Sequence, residues 1–285
     1  EAVIISDVLI GEVWLGGGQS NMEMPINGFG GCPVTNANEE VMNANQLKGK
    51  IRYLTVQREQ QYELQDYAHG VWKETNMENI GSFGAAAFFF AKTLQQTLDV
   101  PVGIINCSWG GSRVEAWLPR EILETYPEEN LDKDYIFSVF ANARSMVMYN
   151  TMLYPLRRYA VKGCIWYQGC ANVGHADVYP YRLAQMVTEW RRIFNNPDMP
   201  FFFTEIAPFG YSGNNNTEAA ELRESQWKLI DICPNTDGIC TNDLVADYEF
   251  CNIHPCNKQD VGQRLAFLAL NQTYGMEQVD CQSPR

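Results

Sequence analysis

The amino-acid sequence predicts an α/β fold in which helices wrap a central parallel sheet. Two observations predict it: short apolar runs rich in Val, Ile, Phe and Tyr alternate with longer helix-compatible segments, and several of those runs end in glycine-rich or polar loops. A third sets the size. With 285 residues, 46% of them hydrophobic, the chain buries a large core without a disulfide or metal staple and is expected to form one domain over 1–285.

The expected strands are, in order, EVWLG (12–16), IRYLTVQ (51–57), VGIINC (102–107), GCIWYQ (163–168), FFFTEI (201–206) and DGICT (237–241). Most are near-continuous apolar runs, the pattern of strands covered on both faces. Helices are expected over 37–46, 83–98, roughly 138–154, 179–194, 217–231 and 258–274, most of them between two strands. GNNN (213–216) reads as an exposed loop tip.

Lys plus Arg number 21 against 34 Asp plus Glu, a net charge of −13, and there is no basic run to track phosphates. Nucleic acid and anionic membrane surfaces are therefore poor partners. The longest apolar stretches, such as FGAAAFFFA (83–91) and MPFFF (199–203), fall far short of the roughly 20 residues of a membrane span. The chain opens on Glu1 with no signal-peptide pattern, as expected of a processed or trimmed protein.

Ligands of open parallel sheets sit beyond the carboxyl ends of the strands. Four loops therefore come first: GGGQSNMEMP after the first strand, CSWGGSR after 102–107, QGCANV after 163–168, and TNDL to NIHP after 237–241. Ser20 follows a run of glycines that lets the backbone turn sharply and exposes a hydroxyl, as a nucleophile requires. Taken alone, such a serine is more often a helix N-cap or turn former. Gly110 and Gly111 offer N–H groups able to approach a developing oxyanion, or simply a tight turn. Gln168, with Asn172 nearby, offers an amide to the same oxyanion, or one that satisfies loop backbone. Arg113 and Glu115 read as an ion pair, and Trp109 and Trp117 as caps on the core.

His254 is the general-base candidate, because the other histidines, His69 and His175, lie in polar loops and read as solvated surface. The His-Pro step holds it extended just before a helix starting near Lys258, from where its ring can project over the sheet rim. In isolation it reads equally well as a hydrogen-bonded structural histidine. CNIHPC (251–256) also invites a zinc reading. Structural zinc sites draw on two separated ligand pairs, however, and no C-x-x-C occurs in the chain, so no metal is expected.

The segments VLIGEVWLGGGQSNMEMP, VPVGIINCSWGGSRVEAWLP, IWYQGCANV and NIHPCNKQDVGQRLA fall in order over nearly the whole chain. Through them the sequence resembles the sialate O-acetylesterase family of the SGNH (GDSL-like) hydrolase superfamily. The resemblance implies a three-layer α/β/α flavodoxin-like fold. It also implies a serine esterase, without metal or organic cofactor, that removes O-acetyl groups from O-acetylated sialic acid or an acetylated polysaccharide. By position it makes Ser20 the nucleophile and His254 the base. It places the Ser20 N–H, a glycine of the Gly110-Gly111 pair and Gln168 around the oxyanion, with Asn21, Arg113 and Asn172 as substrate-binding candidates. A secreted or periplasmic location is expected, as are flanking β-rich segments in a longer protein.

The sequence departs from the family at two places. Where the base motif usually reads D-x-x-H or D-I-H-P, Cys251 and Asn252 stand instead, and where relatives usually carry QGES this chain has QGCA, with Cys170 and Ala171. Something else must orient His254: Asn252 through its side-chain oxygen or carbonyl, or Asp243, Asp247 or Glu249 folding back from the preceding loop. Cys170 and Cys251 replace family residues on two loops facing the site, and a disulfide between them is expected to tether the base-bearing loop. Pairing of Cys251 with Cys256, or of Cys233 with Cys240, competes with it. The lost acid also admits an impaired member acting as a glycan-binding module. Survival of Ser20, His254 and the oxyanion residues favours a working esterase.

Overall fold

The computed structural model describes residues 4, 6–211 and 217–282, so the 213–216 loop tip lies outside the described residues. Its strands are β1 (Glu12–Gly18), β2 (Ile51–Thr55), β3 (Trp72–Glu74), β4 (Val102–Ser108), β5 (Gly163–Tyr167), β6 (Phe201–Thr204) and β7 (Thr236–Ile239). They form a single sheet in the order β3-β2-β4-β1-β5-β6-β7, parallel except where β3 runs antiparallel to β2 at the edge. Taken by themselves, β1, β4, β5, β6 and β7 stand in the flavodoxin-like order, about 2-1-3-4-5 in that notation. β2 and β3 extend this arrangement beyond β4.

Residue alternation assigns each strand to two cores. Leu15, Ile105, Trp166, Phe201 and Phe203 enter one, and Trp14, Ile104, Ile165, Tyr167 and Phe202 the other. Helices Tyr179–Ile193 and Glu218–Trp227 cover the first face, while Ala85–Leu98 and Gln259–Leu268 cover the second. The result is the expected three-layer α/β/α arrangement. The second pair of helices approaches closely because Gly262 has no side chain: a Cβ there would lie 2.5 Å from the Ala86 carbonyl oxygen.

Two expectations change. β3 was not foreseen, since a three-residue edge strand is too short to show a period. The 138–154 segment is not one helix: it contains a 3₁₀ turn (Ala141–Ala143) and a π-helical turn (Tyr149–Leu153), and a further 3₁₀ turn (Tyr154–Arg158) follows. Met146 takes a left-handed φ of +58°, and Pro155 has no N–H to continue a helix. Among the described residues no helix is long and apolar enough to cross a membrane.

β1 is the switch point of the sheet, with β4 on one side and β5 on the other. Gly18 is level with Ser108 on β4 and Tyr167 on β5, so three loops leave the sheet at the same height. Gly18 itself has φ +136°, and a Cβ would lie 2.2 Å from the Tyr167 carbonyl oxygen, so only glycine fits where the chain turns into the next segment.

Candidate active site

After Gly18 the backbone is held on both sides. Gln19 N–H donates to Tyr167 O at 3.0 Å, Trp109 N–H to Gly18 O at 3.0 Å, and Gly169 N–H to Gln19 Oε1 at 2.9 Å. Ser20 then opens a short helix, Ser20–Glu23. His254 reaches it from the loop after β7, with Nε2 2.8 Å from Ser20 Oγ. With the ring proton on Nδ1, the hydroxyl donates to Nε2, the arrangement a nucleophile and its base require. The edge of the ring meets Phe29, centroids 5.1 Å apart. Burial, and then the charge of Lys258, holds the His254 pKa below its ordinary value, so the ring is neutral at pH 7.

The loop that carries His254 has the short 3₁₀ turn Asp247–Glu249 as its regular structure, and side chains hold the rest. Asn21 Nδ2 donates to Ile253 O at 2.9 Å, joining the Ser20–Glu23 helix to the loop. Glu249 accepts from the Cys256 N–H at 2.7 Å and the Ala246 N–H at 3.2 Å. Burial alone would raise its pKa, but these donors and Lys258 bring it below the usual value. Lys258 is fully buried and donates to Pro255 O at 2.5 Å. Desolvation lowers its pKa to about 7.

None of the expected acids reaches the His254 ring. Asn252 turns its side-chain oxygen onto the His254 backbone N–H at 2.9 Å and also accepts from the Cys32 thiol. Asp243 is bound by Arg264, and Glu249 serves the loop backbone. Asp247 begins the short 3₁₀ turn Asp247–Glu249. Among the described residues no carboxylate lies within 4.0 Å of a His254 ring nitrogen.

The oxyanion candidates divide. Gly110 borders Ser20, but its N–H is taken by the Glu23 carboxylate at 2.8 Å. Gln168 is fully buried: its amide donates to Ser112 O at 2.9 Å and Asn172 Oδ1 at 2.8 Å and accepts from Tyr179 Oη. Gly111, at φ +74°, has no acceptor for its N–H among the described residues. The Ser20 N–H opens its helix, where the first donors have no intrahelical acceptor.

The substrate-binding candidates all have partners within the protein. Asn21 and Asn172 are buried, and Asn172 ties Val114 N–H and Gln168 to the Glu115 carboxylate. Arg113 is engaged by Glu129, Ser145, Ala143 and Glu115. Buried Glu115 also pairs with Arg182 at 2.6 Å. The expected Cys170–Cys251 disulfide is not formed. All nine cysteines are free, including those of the competing pairs: Cys251 is exposed, and the Cys170 thiol accepts from Tyr211 Oη at 3.0 Å and is raised to about 11 by burial. Sequence reasoning missed Glu23, whose second oxygen pairs with Arg58, and the buried Lys258. An acid three residues after Ser20 on a helical turn was the available signal for Glu23.

Comparison with known proteins adds a family. A family profile described as carbohydrate esterase, sialic acid-specific acetylesterase, matches residues 10–271. The Homo sapiens sialate O-acetylesterase is 28% identical over 302 residues, covering 98% of this chain and 57% of that protein, and the Mus musculus enzyme is 26% identical over 98% and 60%. This chain thus spans little more than half the length of these curated relatives. The crystal structure of a carbohydrate acetylesterase from Xanthomonas citri superimposes with a TM-score of 0.81 at 34% identity, over 93% of this chain and 57% of that one. With the profile covering most of its length, the chain belongs to the carbohydrate esterase family of sialic acid-specific acetylesterases.

Proposed function

We propose that this chain is a carbohydrate O-acetylesterase working through an acetyl-serine intermediate, with Ser20 as nucleophile and His254 as general base. The observation that carries this reading is the 2.8 Å contact between His254 Nε2 and Ser20 Oγ in a chain of this family. Ser20 Oγ attacks the acetyl carbonyl carbon as its proton passes to Nε2. The resulting oxyanion accepts from the Ser20 and Gly111 N–H groups, the two candidates not already committed. On collapse the C–O bond to the sugar breaks and the sugar oxygen takes the proton from Nε2. Water, deprotonated by His254, then attacks the acetyl-serine, and acetate leaves.

The pair acts as a dyad, with the ring placed by Phe29 and by the anchoring of the loop rather than by a carboxylate. No observation favours a purely glycan-binding role. Ser20→Ala should lower turnover of p-nitrophenyl acetate by at least about 10⁴-fold, the scale seen on removing a triad member, with an unchanged circular dichroism spectrum. Undiminished turnover by the folded variant overturns the assignment.

A further inference from the structure

We propose that Glu23, Arg58 and Trp109 form the sugar-contacting wall beside Ser20, and that this wall selects a neutral O-acetylated sugar over an anionic one; the inference rests on the esterase reading above. Glu23 lies in the same helical turn as Ser20, and a Cβ on Gly110 would stand 3.1 Å from Glu23 Oε2 and 3.3 Å from Ser20 Cβ. Carboxylate and nucleophile therefore flank the same glycine. The other oxygen of Glu23 pairs with Arg58, whose guanidinium lies 5.3 Å over the Trp109 ring.

Arg58 is thus braced from two sides while its side chain remains 48% exposed. A guanidinium has five N–H donors on three nitrogens, and the contact with Glu23 engages Nη2. Glu23 is 20% exposed, and each carboxylate oxygen can accept more than one hydrogen bond. Together the pair presents fixed donors beside fixed acceptors. Vicinal sugar hydroxyls, which both donate and accept, match that pattern, and the bracing reduces the entropy lost on binding.

The charge around the site decides between neutral and anionic sugars. Arg58 is matched by Glu23, Arg113 by Glu129 and Glu115, and Arg264 by Asp243. Lys258 is fully buried against Pro255 O and faces Glu249. Each of these cations is compensated by a carboxylate or buried, so none offers unbalanced positive charge to a substrate carboxylate, which would also meet Glu23 beside Arg58, on a chain of net charge −13. Like charge at contact range acts well inside the Debye length of about 8 Å at physiological ionic strength, so salt does not remove it.

The test compares kcat/KM for O-acetylated xylo-oligosaccharides, O-acetylated sialic acid and p-nitrophenyl acetate in the wild type and in Arg58→Ala and Glu23→Gln. The wild type should prefer the xylo-oligosaccharide to the sialic acid. Arg58→Ala should lower the ratio of xylo-oligosaccharide to p-nitrophenyl acetate kcat/KM about tenfold, the size of one charge-assisted hydrogen bond. Glu23→Gln should narrow the gap between the neutral and anionic sugars. An unchanged ratio in Arg58→Ala, or a wild-type preference for the sialic acid, overturns the proposal while leaving the esterase reading intact. Failure of the wild type to hydrolyse any of the three esters overturns both.

Discussion

At His254, burial and the neighbouring Lys258 charge act in the same direction, lowering the ring's affinity for a proton below the ordinary 6.5. The ring is therefore in the neutral form that the proposed base role requires at neutral pH. The acid limb of kcat/KM should have its midpoint below pH 6.5, and Lys258→Met should move that limb upward by removing one of the two causes. A wild-type midpoint at or above that value, measured with a neutral ester, contradicts this account. Linkage has the same sign: below the unfolded value the unfolded chain takes up the proton first, so the folded state loses stability as pH falls through the folded pKa.

At the scale of elements, the loop between β7 and helix Gln259–Leu268, which carries His254, has the 3₁₀ turn Asp247–Glu249 as its regular structure. Its anchors come from outside the ring's own contacts: Glu249 beneath Cys256, Lys258 beneath Pro255, and Asn21 against Ile253. Glu249→Ala removes the acceptor of two backbone N–H groups and leaves Lys258 with less compensation. It should cost about 2 kcal/mol of unfolding free energy in urea, within the range for unsatisfied partly buried groups. It should also lower kcat, because the ring is placed by the loop. Wild-type stability in this variant would show that the loop is held by packing alone.

At the scale of the molecule, two apolar cores on opposite faces of a seven-stranded sheet hold the fold together. All nine cysteines are free, and Cys107, Cys164, Cys233 and Cys240 are buried. The thermal midpoint should therefore be unaffected by reductant, and nine thiols should titrate with Ellman's reagent in guanidinium chloride without prior reduction. Seven thiols and a reductant-sensitive midpoint would restore a cross-loop disulfide. Cys251, exposed on the base-bearing loop, should react early in the native protein.

Much of this was legible in the chain itself. Strands β1, β2, β4, β5, β6 and β7 announce themselves because strands buried on both faces need continuous apolar runs, and Ser20 and His254 stand out as the proposed nucleophile and base because they sit on loops at strand ends. β3 and the broken 138–154 segment were not legible, since a short edge strand leaves no period and a left-handed Met146 leaves no mark in residue type. The sequence also named candidates for the proposed oxyanion pocket, Gly110, Gly111 and Gln168. Only the tertiary structure decided which of their atoms are free. Gly110 N–H goes to Glu23, the Gln168 amide to Ser112 and Asn172, and Asn252 to the His254 backbone. Periodicity and loop position follow from local chain order, whereas a hydrogen-bond partner far away in sequence is set by how the layers close.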